Sequence, residues 1–291
     1  MLNFKTFLKK FIYWTVPAGI YENYKTNFSW NALSYYYFNG LDLFKKNQEY
    51  KNKHNGKRCF IVCNGPSVLE QDLTLLKNEI VFTVSNGYMH KNFDILSPKY
   101  HCVPGLTYTE KFNEDDAVGW FQDMDKKLSR SEIFLNYTEE ILVRKHNLFK
   151  ERKVNYIFCG RKFKRNEHKI VDLTKIIPGV ASVPIMCLVI AMYMGFKKIY
   201  LLGVEHNDYV NLEYNYAFEQ YFTKGKISVL NEKNLLLVTQ LESLETKVIL
   251  WKQYLNILSI AQKNNIEIYN ATIGGSLDVF PRISYLKALE N

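Results

Sequence analysis

Four stretches of this chain end an apolar run in small polar or ionisable residues, which is how a buried strand delivers side chains to a ligand. The sharpest is Arg58-Cys-Phe-Ile-Val-Cys-Asn64-Gly65-Pro66-Ser67. There Gly65 lets the backbone come close to a ligand, Pro66 suits a first helical turn, and N–H groups together with Ser67 face an anion. The stretch reads as a phosphate or nucleotide cradle, or else as a tight turn that needs Gly and Pro. It is neither GxGxxG nor GxxxxGK followed by Ser or Thr, so dinucleotide and P-loop sites lack their signatures.

A second strand, Val81-Phe-Thr-Val-Ser85-Asn86-Gly87, would place Asn86 beside that first corner, although Asn-Gly is also a common turn dipeptide. The third stretch begins at Pro178, offers Ser182 as a helix N-cap, and continues through an apolar helix to Gly195-Phe-Lys-Lys-Ile-Tyr-Leu-Leu-Gly203-Val-Glu205-His206-Asn207-Asp208. Acid, imidazole and acid at a strand end are suited to general acid-base work, and a polar loop after a strand is the plainer account. In the fourth, Ile266 to Asn270 leads into Thr272-Ile-Gly274-Gly275, a loop able to close over a ligand, with Arg282 placed to grip a carboxylate or phosphate or to serve in a surface ion pair. Asp115-Asp116 and Asp123-x-Asp125 lie in a polar, helix-like stretch with no apolar strand before them, so the chemistry is read as needing no metal or cofactor.

These corners need a scaffold. Strands are expected near Cys59–Cys63, Ile80–Val84, Tyr100–Val103, Glu132–Leu135, Asn155–Cys159, Ile199–Leu202 and Glu267–Asn270, several of them continuous apolar runs as in strands covered on both faces. Helices are clearest at Ala181–Met194 and at Lys233–Lys263, where Leu237, Leu241, Leu244, Val248, Trp251, Leu255 and Leu258 recur at intervals of three and four. The expected fold is α/β, a mostly parallel, doubly wound, Rossmann-like sheet preceded by an N-terminal amphipathic helical segment.

That segment, residues 1–55, is rich in Tyr, Phe, Trp and Lys, with Phe4, Phe7, Leu8, Phe11 and Ile12 on one helical face. It either docks on the protein's own core or, through Lys5, Lys9, Lys10 and Trp14, rests on an acidic membrane surface. The polar stretch Lys45–Lys57 reads as a linker, and residues 56–291 as the catalytic domain.

Composition narrows the function. At 291 residues and 47% hydrophobic the chain is globular rather than disordered. Its five cysteines show no paired spacing, which argues against a zinc cage or a disulfide framework. The richest apolar run, Val180–Met194, is shorter than a membrane span and contains Pro184, and no cleaved leader is legible, so a cytoplasmic protein is expected. The net charge of +9 suits anionic small substrates or an anionic surface; the basic residues are scattered and carry no nucleic-acid motif. A homo-oligomer is compatible with all of this.

Taken in order, strand-NGPS, strand-SN, helix-GFKKIYLLG-acid and Asn215-Tyr216-Ala-Phe218 resemble the bacterial lipooligosaccharide sialyltransferases of glycosyltransferase family 42, over about 58–220 and again 266–282. The skeleton also resembles uncharacterised polysaccharide-biosynthesis proteins and the family related to 6-hydroxymethylpterin pyrophosphokinase. The resemblance implies a variant GT-A sheet and a CMP-activated acidic sugar, such as sialic acid, another nonulosonic acid or Kdo, as donor. It implies a glycan or glycolipid acceptor for lipooligosaccharide or capsule.

By that resemblance Asn64, Gly65, Pro66 and Ser67 hold the phosphate and ribose, and Asn86 contacts the donor. Ser182 and Gly203 line the cytidine side, Glu205 sits near ribose or base, and Tyr216 hydrogen-bonds the leaving phosphate. The family's general base is a histidine beyond the NYAF-like segment, and this chain has no histidine after His206. His206, Glu205 or Asp208 therefore takes that role in an inverting displacement, or the reaction is another one. The competing readings are pterin-type diphosphate transfer from ATP and a non-catalytic nucleotide-binding subunit of polysaccharide assembly.

Overall fold

The computed structural model describes residues 41–106, 112–128, 130–164, 167–207, 217 and 240–291. Eight parallel strands form one sheet: β1 Arg58–Val62, β2 Val81–Val84, β3 Tyr100–Val103, β4 Glu132–Asn136, β5 Val154–Arg161, β6 Ile176–Pro178, β7 Lys198–Leu202 and β8 Glu267–Asn270. Their order is β6-β5-β4-β3-β2-β1-β7-β8. The order runs outward from β1 to β6, and then β7 returns to pair with the other side of β1, Arg58 to Val62 lying against Lys198 to Leu202. That reversal is the switch point at which a doubly wound sheet opens a crevice beyond its carboxyl ends.

All seven strands expected from the sequence are present. The eighth, β6, escapes a reading of apolar runs because it is three residues long and ends in Pro178. It forms one edge of the sheet. At the other edge, Pro281 to Ile283 lies along β8, where Asn270 N–H donates to the Pro281 carbonyl and Ile283 N–H to the Asn270 carbonyl.

The helices are α1 Leu41–Lys45, α2 Phe93–Leu96, α3 Glu114–Lys127, α4 Glu140–His146, α5 Val183–Tyr193, α6 Gln240–Lys263 and α7 Tyr285–Glu290. One face of the sheet, carrying Cys59, Ile61, Phe82, Cys102 and Phe134, is covered by α5 and α6. The opposite face is covered by α1, α3 and α4 over β3 to β5, and by α7 and short turns over β1 and β7. Helix α5 lies between sheet and α6, so every residue from Pro184 to Tyr193 is buried. This accounts for its lack of a polar face.

Two expectations are corrected here. Helix α6 buries Leu250, Tyr254, Ile257, Ile260 and Ala261, whereas Leu241, Leu244, Val248 and Leu255 of the expected stripe are exposed. Tyr254 is fully buried on that face, and Trp251 and Leu258 of the stripe pack at the core's margin. The stretch Lys45–Lys57 is not a free linker, so residues 41–55 belong to the α/β body. Asn47 donates to the carbonyls of Tyr156 (2.8 Å) and Leu173 (3.0 Å), the Tyr50 hydroxyl to Glu132, and His54 Nε2 lies 2.7 Å from the Tyr100 hydroxyl. The proposed amphipathic helix at Phe4–Ile12 lies outside the described residues. Among the described residues no helix is long and apolar enough to cross a membrane.

Candidate active site

At the switch point the ends of β1 and β7 are laced together by backbone bonds. Cys63 N–H donates to the Leu202 carbonyl and Gly65 N–H to the Gly203 carbonyl, both at 2.9 Å. Gly203 is left-handed (φ +66°), and a Cβ there would stand 2.8 Å from the Cys63 carbonyl, so only glycine fits. Gly65 is needed for room: a Cβ on it would fall 1.5 Å from Glu205 Oε2.

Glu205 explains that crowding. Its carboxylate reaches back from the end of β7 to the first corner, where Oε1 accepts the Ser67 N–H at 2.7 Å. The residue is 3% exposed, and Oε2 has no hydrogen-bond partner among the described residues. The Asn64 side-chain oxygen at the same corner is likewise buried and unpartnered. Pro66 opens a five-residue 3-10 turn rather than a helix.

At the expected cradle Asn64-Gly65-Pro66-Ser67 the backbone N–H groups of Gly65 and Ser67 are already taken within the chain. The Ser67 N–H is committed to the chain's own carboxylate, and the corner presents hydrogen-bond acceptors. An anion placed there would meet a carboxylate.

Asn86 stands where the sequence put it, in the turn Ser85–Met89 after β2. It is buried, and its Oδ1 accepts the Trp120 indole N–H at 2.8 Å. Ser182 occupies the N-cap position of α5, but its side chain caps no helix N–H. The preceding residues are pinned from α6, Gln253 accepting the Ala181 N–H at 2.8 Å and donating to the Gly179 carbonyl at 2.9 Å. Ser182, Val183 and Pro184 thus open the N-terminus of an eleven-residue helix onto the crevice. That terminus carries partial positive charge suited to an anion.

His206 leaves β7 in a left-handed conformation (φ +52°) and also lines the crevice. Its Nε2 is 2.7 Å from the Tyr254 hydroxyl on α6. Asp208 and Tyr216 fall outside the described residues. Ala217 of the NYAF-like segment is described, and its N–H donates to the Asn64 carbonyl at 2.8 Å.

The Arg282 guanidinium donates to the carbonyls of Thr272 (2.8 Å), Gly274 and Leu277 (3.4 Å) and so clamps the Gly-Gly loop. The loop lies over Glu205: Ser276 N–H donates to the Glu205 carbonyl at 2.6 Å, and a Cβ on Gly275 would lie 2.5 Å from Glu205 Cα. Asp115 and Asp116 start α3, where Asp116 and Asn113 form a capping box, in keeping with the helix-like reading of that stretch.

The crevice has a volume of about 450 Å³ and is bounded by the ends of β1, β2, β3 and β7, the N-terminus of α5, and Phe112 and Trp120. Among its described lining residues Glu205 is the one carboxylate, and none is lysine or arginine. Past Pro104, Gly105 and Ala181–Val183 it continues into a second recess of about 600 Å³, bounded by Asn136, Cys159, Gly179, Met186, Ile249 and Gln253. Sequence reasoning missed Phe112 and Trp120 as crevice walls and Tyr254 behind His206. In sequence all three look like core aromatics, and no spacing separates a crevice wall from a core stripe.

Neither a protein-family model nor a curated protein sequence matches the chain. Among solved structures it is similar to the sialyltransferase CstII from Campylobacter jejuni, solved in complex with a substrate analogue, cytidine-5'-monophosphate. The TM-score is 0.40 and the identity 16%, over 79% of this chain and 86% of that one. A likeness of that size assigns neither residues nor substrate to this chain.

Proposed function

We propose that the crevice holds a nucleotide-activated sugar and that the chain is a glycosyltransferase whose donor is a CMP-linked acidic sugar. One observation carries the reading. At the switch point between β1 and β7, two buried acceptors with no partner among the described residues, Glu205 Oε2 and Asn64 Oδ1, lie in one crevice with an open helix N-terminus. Acceptors match ribose hydroxyls or a base amino group, and the α5 terminus matches phosphate or a sugar carboxylate. This reverses the assignment of the phosphate to the Asn64–Ser67 corner, and keeps Glu205 near ribose or base.

The acceptor enters through the second recess. Its hydroxyl oxygen attacks the anomeric carbon, the bond from that carbon to the phosphate oxygen breaks, and the electron pair leaves with CMP. His206 takes the hydroxyl proton, which a neutral imidazole can do near pH 7. Inversion follows from the single displacement. We hold the transfer to be independent of divalent metal, so EDTA should leave its rate unchanged. The basic N-terminal segment, on this reading, rests on an anionic membrane surface and brings the enzyme to a glycolipid acceptor.

Calorimetric titration with CMP, and release of CMP from CMP-sugars in the presence of neutral glycans, test the proposal together. Binding with turnover supports it. Failure to bind any cytidine nucleotide, with ATP or another nucleotide bound instead, would overturn it.

A further inference from the structure

His206 adopts a backbone conformation that an unconstrained loop would leave to Gly or Asn. Two side chains of α6 hold it there. The Tyr254 hydroxyl lies 2.7 Å from Nε2, and the Trp251 ring meets the imidazole edge-on with centroids 6.0 Å apart. Each is braced in turn: the Trp251 indole N–H donates to Asp278 Oδ1 at 2.9 Å, and Tyr254 packs edge-on against Phe280. Tyr254 is fully buried, and burial pushes its phenol well above its ordinary range, so it stays protonated across the working pH.

A phenol beside an imidazole can donate to Nε2 or accept from it, and the choice sets which nitrogen carries the ring proton. A histidine that takes a proton through Nδ1 needs Nε2–H. We infer that Tyr254 is the positioning residue for His206, its oxygen accepting the Nε2–H and holding the imidazole in the tautomer whose lone pair is on Nδ1, with Trp251 fixing the ring plane. The inference rests on the proposed role of His206 in proton removal. It also explains why α6 buries Tyr254 at the expense of the aliphatic stripe.

Long-range proton–nitrogen NMR of the nitrogen-15-histidine protein tests it without any substrate, the His206 signals being those lost in His206→Gln. The expected pattern is a neutral ring protonated at Nε2, replaced in Tyr254→Phe by a mixture of tautomers. A ring protonated at Nδ1 in the native protein, or one unchanged by Tyr254→Phe, would overturn the inference. Wild-type spectra alone decide it should Tyr254→Phe fail to fold.

With a CMP-sugar donor, Tyr254→Phe should lower kcat about tenfold, leave KM unchanged and shift the acidic limb of the pH profile. It should add no further loss to His206→Gln. A change in KM alone would refute the positioning role. Absence of any turnover would count against the proposed function, while the tautomer measurement would still decide the role of Tyr254.

Discussion

The two ends of the parallel sheet arrange their charged groups differently, while buried side-chain atoms with no partner among the described residues occur at both, Asn47 Oδ1 and His54 Nδ1 at the amino end among them. At the amino end, ionic groups meet partners: Arg58 pairs with Glu79 (2.6 Å), Lys53 with Glu132 (3.2 Å), and Lys153 with Glu49 (2.8 Å). The Tyr50 hydroxyl and both lysines together hold the Glu132 carboxyl below its ordinary range despite its burial. At the carboxyl end, Glu205 takes the Ser67 N–H on one oxygen, and its other oxygen and the Asn64 side-chain oxygen have no partner among the described residues. A buried acceptor without a partner costs on the order of 1–3 kcal/mol. What sets the carboxyl end apart is that Glu205 and Asn64 line one crevice, where a ligand can supply the partners they lack among the described residues.

The strongest way to break this contrast is Gly65→Ala. The added methyl would occupy the position of Glu205 Oε2 and approach the Gly203 carbonyl, and neither corner can yield without unlacing β1 from β7. A loss of about 4 kcal/mol is expected, read as a melting temperature lower by roughly 10 °C and as lost nucleotide binding. An unchanged melting curve would show that the crowding at the crevice is not structural.

Acid should act next, through two buried imidazoles, His54 at the amino end and His101 within the sheet. Burial, helped by neighbouring lysines, lowers His54 to about 4, and burial lowers His101, bonded to Thr83 within the sheet, to about 3. Both values lie under the ordinary histidine value of about 6.5. Their contribution is therefore complete above pH 6.5 and is lost as pH falls toward 4, because the unfolded chain binds protons that the native state refuses. Thermal unfolding from pH 7 to pH 4 should show a loss on the order of 3 kcal/mol, and His54→Gln, which keeps a bond to Tyr100 without titrating, should flatten part of the slope. A curve that stays level over this range would contradict the buried, neutral state of both rings.

Two matched substitutions sharpen the contrast. Glu132→Ala strips Tyr50, Lys53 and Lys153 of their shared partner and should cost about 2 kcal/mol of stability, with no change in affinity for CMP. Glu205→Gln should do the reverse. Its oxygen still takes the Ser67 N–H, but an N–H2 replaces the unpartnered acceptor, so CMP affinity should fall about tenfold with little change in melting temperature. Equal effects of both variants on binding would show that the ends of the sheet are not functionally distinct.

Much of this was legible in the residues. The apolar runs at Cys59–Cys63, Val81–Val84 and Ile199–Leu202 declare strands covered on both faces, and Gly65, Asn86, Ser182 and Gly203 converge because strand ends in a parallel sheet converge. What the chain order cannot reveal is which donors and acceptors find each other across it. Ser67 meets Glu205 over 138 positions, and the Arg282 guanidinium turns back onto its own loop, so a corner that reads as an anion site becomes an acceptor site. The rotation of α6 was hidden for a similar cause: Leu and Val outnumber the one tyrosine, but α5 presents a surface that takes the tyrosine.

Both margins of the sheet are short. On one side β6 is three residues long and Pro178 has no N–H to offer; on the other, Pro281 and Ile283 take the outward hydrogen-bonding groups of Asn270, the last residue of β8. Among the described residues a second copy of the chain would find only a three-residue run on one margin and Glu267 to Tyr269 on the other to extend by edge pairing.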